Sequence, residues 1–277
     1  MSRIPSAADV MARARGENFP VAPRLLPARR REDLLAIYGF ARLVDDLGDE
    51  APGDRIELLD WLSVELDAVY AGRPAEHPLM RRLAPVIGAH DIPRDPFDRL
   101  IRANRQDQRV DRYETFGDLR AYCELSANPV GHLVLSVLDA ATSERLRLSD
   151  AVCTGLQLTE HWQDVAEDLA RGRVYLPGED LARFGVSPDD LAAPRAGPNV
   201  RRLMAFEVER ARRLLDRGVP LARTLRGRAG LAVHAFVAGG RAALAAIERA
   251  GFDVLGGTPR SSRAGRLWWF ARTVAGR

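Results

Sequence analysis

Apolar residues recur at helical spacing along almost the whole chain, and alternating strand patterns are nearly absent. Leu34, Leu35, Tyr38, Ala41 and Arg42 form one amphipathic stripe. Ile56, Leu59, Leu62, Val64, Leu66 and Val69 form a second, ending before Gly72-Arg73-Pro74. Helical rhythm continues over about Leu79–Ala89, Pro96–Arg109, Phe116–Glu124, Pro129–Ala141, Ser149–Arg171, Arg201–Arg217 and Ala229–Ala250. Pro and Gly clusters at 51–53, 193–198 and 256–259 fall between these stretches, as helix punctuation should. Arg173-Val174-Tyr175-Leu176, before Pro177, reads as a short extended turn. The pattern predicts an all-α fold: a single helical bundle around one core, with residues 1–277 as one domain.

The chain has 277 residues, a length that suits one large core. Its 41 basic residues are all Arg, against 38 acids, for a net charge of +3. So small an excess argues against a general nucleic-acid binder. Without lysine there is no Schiff base, Walker lysine or Lys general base. Cys123 and Cys153 are far apart, with no CxxC, and the histidines form no HExxH. That excludes a disulfide framework and a zinc ribbon and suits a reducing compartment. The N-terminal stretch lacks the apolar run of a signal peptide, and Ala229–Gly240 is shorter than a membrane span. The expectation is a cytoplasmic protein.

Two acidic clusters carry the chemistry. In Asp45-Asp46-Leu47-Gly48-Asp49-Glu50, Asp45 and Asp49 share a helix face, and Asp46 and Glu50 form a second pair one residue round. Like charges at this spacing repel, so the cluster is either a solvated face or a site for a hard divalent cation. In Gln157-Leu158-Thr159-Glu160-His161-Trp162-Gln163-Asp164-Val165-Ala166-Glu167-Asp168, Asp164 and Asp168 repeat the spacing. Gln157 and Glu160 extend that polar stripe upstream on the same helix side. Two such helix faces are expected to grip Mg²⁺ ions that bind a diphosphate and make it a leaving group. Arg42, three residues before Asp45, is either a phosphate ligand or the partner of Asp45 or Asp49. Arg171 and Arg173 follow the second cluster and suit phosphate oxygens; Tyr175 either reaches the diphosphate or caps the helix.

These residues resemble the squalene/phytoene synthase family of head-to-head prenyl transferases. The resemblance rests on Tyr38–Glu50, on Tyr122–Gly131 with its Ser126-Ala127-Asn128-Pro129 core, and on Gln157–Asp168 followed by Arg171–Pro177. It spans about residues 17–255, leaving a basic aromatic tail over 256–277. The Glu17-Asn18-Phe19-Pro20-Val21-Ala22 and Trp162–Val165 blocks look like the bacterial hopanoid-pathway branch. That branch implies an all-α prenyl-synthase fold with a central apolar cavity. It also implies Mg²⁺-dependent conversion of presqualene diphosphate and water to hydroxysqualene and diphosphate, with no NADPH step.

The resemblance implies metal contacts from Asp45, Asp49, Glu160, Asp164 and Asp168, and substrate contacts from Arg42, Gln157, Gln163, Arg171, Arg173, Tyr175, Asn18 and Phe19. Phe19, Tyr38, Phe40 and Val130 are expected to wall the cavity, and Ser126 and Asn128 either place the capturing water or cap a helix. Asp107 and Asp111, beside Arg105, Arg109 and Arg112, read as a solvated ion-pair face. Departures gather at the diphosphate end: Glu160 stands where many relatives have Asn, Gln163 where many have Arg, Leu125 where a Tyr is expected, and Gly240 roughly where some have Tyr. The alternatives are condensation of two farnesyl diphosphates, and a non-catalytic helical partner in a terpenoid complex; association with other squalene-pathway enzymes fits either. The tail, with Arg260, Arg263, Arg266, Arg272 and Leu267-Trp268-Trp269-Phe270, suits an interfacial helix on the inner face of the membrane, or one folded back on the bundle.

Overall fold

A computed structural model of the chain describes residues 4–15, 26–225 and 227–276. It is all-α: no strand occurs among the described residues, and the extended turn at Val174 makes a lone parallel bridge with Arg112. The helices are α1 (Ala7–Ala12), α2 (Ala28–Asp45), α3 (Arg55–Tyr70), α4 (Pro78–His90), α5 (Asp95–Gln106), α6 (Phe116–Ser126) and α7 (Asn128–Val137). They continue as α8 (Ser143–Gln163), α9 (Val165–Ala170), α10 (Gly178–Phe184), α11 (Pro188–Ala192), α12 (Pro198–Gly218), α13 (Pro220–Thr224), α14 (Arg228–Arg249) and α15 (Arg263–Val274). They form two compact units, one of residues 1–109 and 124–146, the other of residues 110–123 and 147–277.

In the first unit α2 is the central element, packed by α1, α4, α5 and α7. Its apolar stripe (Leu34, Ile37, Phe40, Leu43 and Val44) is buried, and the Phe40 ring meets Phe97 of α5 edge-on at 4.9 Å. Local chemistry sets the ends. Asp54 caps α3 by accepting from Ile56 and Glu57 N–H; Pro78 starts α4, and Asp91 closes it in the left-handed region. The rhythm over 129–141 stops at Val137, because Asp139 takes a φ of 51° and Ala140 N–H closes onto Leu135.

In the second unit α8, α12 and α14 cross at glycines. A Cβ on Gly155 would lie 2.9 Å from Leu215, and one on Gly218 would lie 2.3 Å from Val152. A Cβ on Gly240 would lie 2.8 Å from Leu156 and 2.9 Å from Leu215. Leu215 thus takes the space beside Gly240 that a larger side chain there would need. α14 is the one described helix long and apolar enough to cross a membrane, and 67% of that stretch is buried within the protein. It serves here as a core helix. Arg210 of α12 ties in α10 by bonding Asp180 at 2.7 Å and Glu207 at 3.0 Å, and lies 4.0 Å over the Phe116 ring.

Candidate active site

The first acidic cluster does not continue the α2 helix. Residues Asp46–Glu50 form a π-turn, in which Ala51 N–H reaches five residues back to Asp46 at 2.8 Å. The turn splits the acids by role. Asp46 is buried and paired with Arg42 at 2.8 Å and Arg13 at 3.4 Å. Glu50 takes Arg42 at 3.1 Å and a two-pronged contact from Arg13. Arg42 is therefore in direct contact with Asp46 and Glu50, the latter because the turn folds Glu50 back over it, and acts on Asp45 only from a distance. Asp45 and Asp49, the candidate cation pair, are left exposed to solvent.

A glycine and an amide hold this turn in place. A Cβ on Gly48 would lie 2.1 Å from Asn104 Oδ1, so only glycine admits the α5 side chain. Asn104 Nδ2 donates to Asp45 Oδ1 at 3.3 Å, and Gln108 Nε2 donates to Gly48 O at 2.9 Å. Asp45 keeps an open side, so a cation can reach it, yet the protein crowds its other sides. Burial pushes its carboxyl up to about 7, against the pull of Asn104 and Arg42 and with a further push from Asp49 and Asp46. A carboxylate destabilised in this way gains from a bound cation.

The second cluster also sits at a departure from regular helix. The stretch expected to run unbroken from Ser149 to Arg171 breaks at Asp164, whose φ and ψ are −101° and 16°. The i+4 bonds continue across the break, from Asp164 N–H to Glu160 and from Asp168 N–H to Asp164, at 2.9 and 2.8 Å. Asp164 and Asp168 thus keep helical spacing, each half-buried. Burial pushes both carboxyls up, Asp168 to about 7 with Asp164 as its like-charged neighbour. Arg171 and Arg173 pull Asp168 back, and Arg171 and Arg260 do the same for Asp164. Gly172, at a φ of 79°, turns Arg171-Gly172-Arg173 back so that Arg173 N–H bonds Asp168 O at 2.9 Å.

A C-terminal strap crosses this cluster. The Gln163 amide donates to Pro259 O, and Thr258 Oγ1 donates to Glu167 at 2.7 Å. Beneath it His161 is buried, 3.2 Å from the Gln157 amide and stacked on Tyr175 at 3.7 Å between ring centres. Tyr122 and Tyr113 complete the aromatic cluster. Burial, with help from Arg173, pushes His161 down to about 3, so it is neutral at physiological pH. Tyr175 is a packing partner of His161. Trp162 is fully buried core.

The other expected residues have separate fates. Tyr38 is half-buried on α2, Phe40 is sealed in the core, and Val130 is 38% exposed. Asn128 is buried in the first turn of α7, one residue past the N-cap Ala127; Ser126 Oγ is buried without a hydrogen-bond partner among the described residues. Asn18 and Phe19 lie outside the described residues. Arg105 does not complete the expected ion-pair face but bonds Asp60 at 2.6 Å and Ser63 at 2.9 Å. A cavity of about 590 Å³ lies behind α9, lined by Ala166, Leu169, Val174, Leu176, Leu181 and Leu191, and none of the described wall residues, Tyr38, Phe40 and Val130, borders it.

Among the described residues no three acidic, His or Cys side chains converge into a ready metal cage. Mg²⁺ does not need one, since it takes one or two carboxylates and completes its shell with water and phosphate oxygens. The donor sets here, Asp45 with Asp49 and Asp164 with Asp168, are all-oxygen, crowded and partly open, and they fit that ion. Asn104, Gln108 and Arg13 were not legible as site residues. Asn104 left one trace: it falls on the apolar stripe of α5 with Phe97, Leu100 and Ile101, where a polar side chain needs a partner.

Comparison with known proteins identifies the family. The squalene/phytoene synthase family profile matches residues 12–266. A hydroxysqualene synthase of Rhodopseudomonas palustris is 36% identical over 225 residues, covering 79% of this chain and 75% of its own length. A phytoene synthase of Arthrospira platensis is 32% identical over 212 residues, 71% of this chain and 68% of its own. The crystal structure of squalene synthase HpnC from Alicyclobacillus acidocaldarius superposes with a TM-score of 0.83 at 45% identity, covering 89% of this chain and 93% of that one. A dehydrosqualene synthase, at 23% identity and a TM-score of 0.88 over 97% of this chain and 95% of that one, shares the fold. On the profile match across most of its length and the identity to these relatives, the chain belongs to the squalene/phytoene synthase family.

Proposed function

We propose that this protein converts presqualene diphosphate and water into hydroxysqualene and diphosphate. The observation that carries the reading is the 36% identity to a hydroxysqualene synthase over most of both chains, joined to two intact Asp-x-x-x-Asp motifs. Asp45 and Asp49 in one unit, and Asp164 and Asp168 in the other, are the residues that would hold Mg²⁺. Bound there, Mg²⁺ would supply Lewis-acid neutralisation of a diphosphate leaving group, which takes the electron pair of the C–O bond that breaks. Arg171, Arg173 and Arg260 add positive charge beside Asp164 and Asp168. Water then forms the new C–O bond to the rearranged cation, and its proton passes to the departing diphosphate. His161, neutral and packed in the aromatic cluster, supplies no general acid. Ser126 and Asn128, both buried polar groups, are the candidates to hold the attacking water.

A second reading, condensation of two prenyl diphosphates, is favoured by the 32% identity to phytoene synthases. Purified protein with Mg²⁺ and no NADPH, given presqualene diphosphate in one reaction and farnesyl diphosphate in another, separates the two. Hydroxysqualene from the first is expected. Failure there, with presqualene diphosphate accumulating from the second, would establish condensation instead.

A further inference from the structure

The geometry points to the outer face of α15 as a docking surface for an anionic lipid bilayer. α15 has two faces with different tasks. The inner one is committed to the protein: Thr273 is 1% exposed, Arg241 of α14 donates to its hydroxyl at 3.1 Å, and the Arg241 guanidinium lies 5.8 Å from the Trp269 ring centre. The outer one is apolar and uncovered. Leu267 is 70% exposed, Trp268 53% and Val274 46%, and Ala264 and Ala271 are exposed with them.

At ~100° per residue these five side chains fall in a single arc of roughly 120°. Arg263 borders one side of that arc and Arg272 the other, with Arg266 one step beyond Arg263. Arg272 lies 4.6 Å from the Trp268 ring centre. An apolar strip rimmed by arginines, whose long stems let the charge rise to the headgroups, is the arrangement of a helix lying in a membrane interface.

Charge selects the occupant. α15 itself carries no acidic residue, and Asp216, which reaches it through Arg241, is already paired with that arginine. A second copy docking by the same face would set these arginines against one another with no acid to relieve them. An anionic bilayer satisfies both the apolar arc and its rim. The surface is also continuous with the candidate site. Ser262, which caps α15 by accepting from Gly265 N–H at 3.0 Å, follows directly on the Thr258–Arg260 strap over the second acidic cluster. Docking would hold that cluster beside the bilayer.

Co-sedimentation of the full chain with vesicles tests this, and it needs no turnover. The chain is expected to pellet with phosphatidylglycerol–phosphatidylcholine vesicles at low salt, and to stay in solution with phosphatidylcholine alone. The Leu267→Gln/Trp268→Gln variant should partition at least tenfold more weakly. The Arg263→Gln/Arg266→Gln/Arg272→Gln variant should lose on the order of a hundredfold, at ~1 kcal/mol for each arginine. Both variants alter exposed positions and should keep the wild-type melting temperature and detergent-solubilised activity. Wild-type protein that stays in solution with anionic vesicles overturns the proposal. So does a concentration-dependent dimer abolished by Leu267→Gln/Trp268→Gln, or salt-sensitive binding to nucleic acid without binding to vesicles.

Discussion

Gly48 and Asn104 each make sense only with the other. The amide lies where a Cβ would be, and from there it donates to Asp45. Gly48→Ala should force the buried Asn104 out of its bond and destabilise the protein by about 1–3 kcal/mol in urea unfolding. Adding Asn104→Ala should restore much of that loss, because the obstructing group is gone. A Gly48→Ala protein as stable as wild type would remove the amide from the account. Sequence alone could place a glycine and two aspartates in this segment, but not the α5 side chain that reaches them, since the partners are 56 positions apart and meet only after packing.

At the scale of elements, α10 and α12 are joined by a buried charge cluster. Glu207 is fully buried, and that burial pushes its carboxyl up to about 8 despite Arg210. Its folded value lies above the ordinary value of 4.5. The stability it contributes is therefore complete below pH 4.5 and is lost as pH rises through about 8. Wild type should lose on the order of 2 kcal/mol between pH 6 and pH 9 from this group, while Glu207→Gln, which mimics the protonated acid, should lose less. Equal slopes in chemical unfolding at the two pH values would contradict the assignment. The acidic clusters obey a related rule. Periodicity correctly placed both on helices, yet one lies on a π-turn and the other at a helix break. Both departures depend on tertiary partners: Arg13 and Asn104 for the first, the Thr258–Pro259 strap for the second.

For the whole molecule, the carboxylates proposed to serve the reaction should work against stability. Asp45 is ionised at neutral pH only against the crowding around it. Asp45→Asn should therefore keep or raise the melting temperature at pH 8 while turnover falls by roughly 10²–10³-fold, the usual loss on removing one electrostatic stabiliser. Asp164→Asn should lose turnover to a similar degree. Folded variants with undiminished turnover would move the reaction away from these clusters. The same result would revive the reading of the chain as a helical partner without chemistry of its own.

By itself the sequence determined the helical class, the approximate course of the long helices and the position of both aspartate motifs. These follow from local spacing, which a helix converts directly into a face. The short helices α10, α11 and α13 escaped that reading, because five to seven residues hold too little of a period. Only the tertiary structure decided how the acids divide their work. Adjacent carboxylates in Asp45-Asp46 look alike in a row of letters. They differ once Arg13 joins Arg42 against one and Asn104 orients the other; the Arg42 pair is local, at i+4, but Arg13 and Asn104 come from parts of the chain whose proximity folding alone creates.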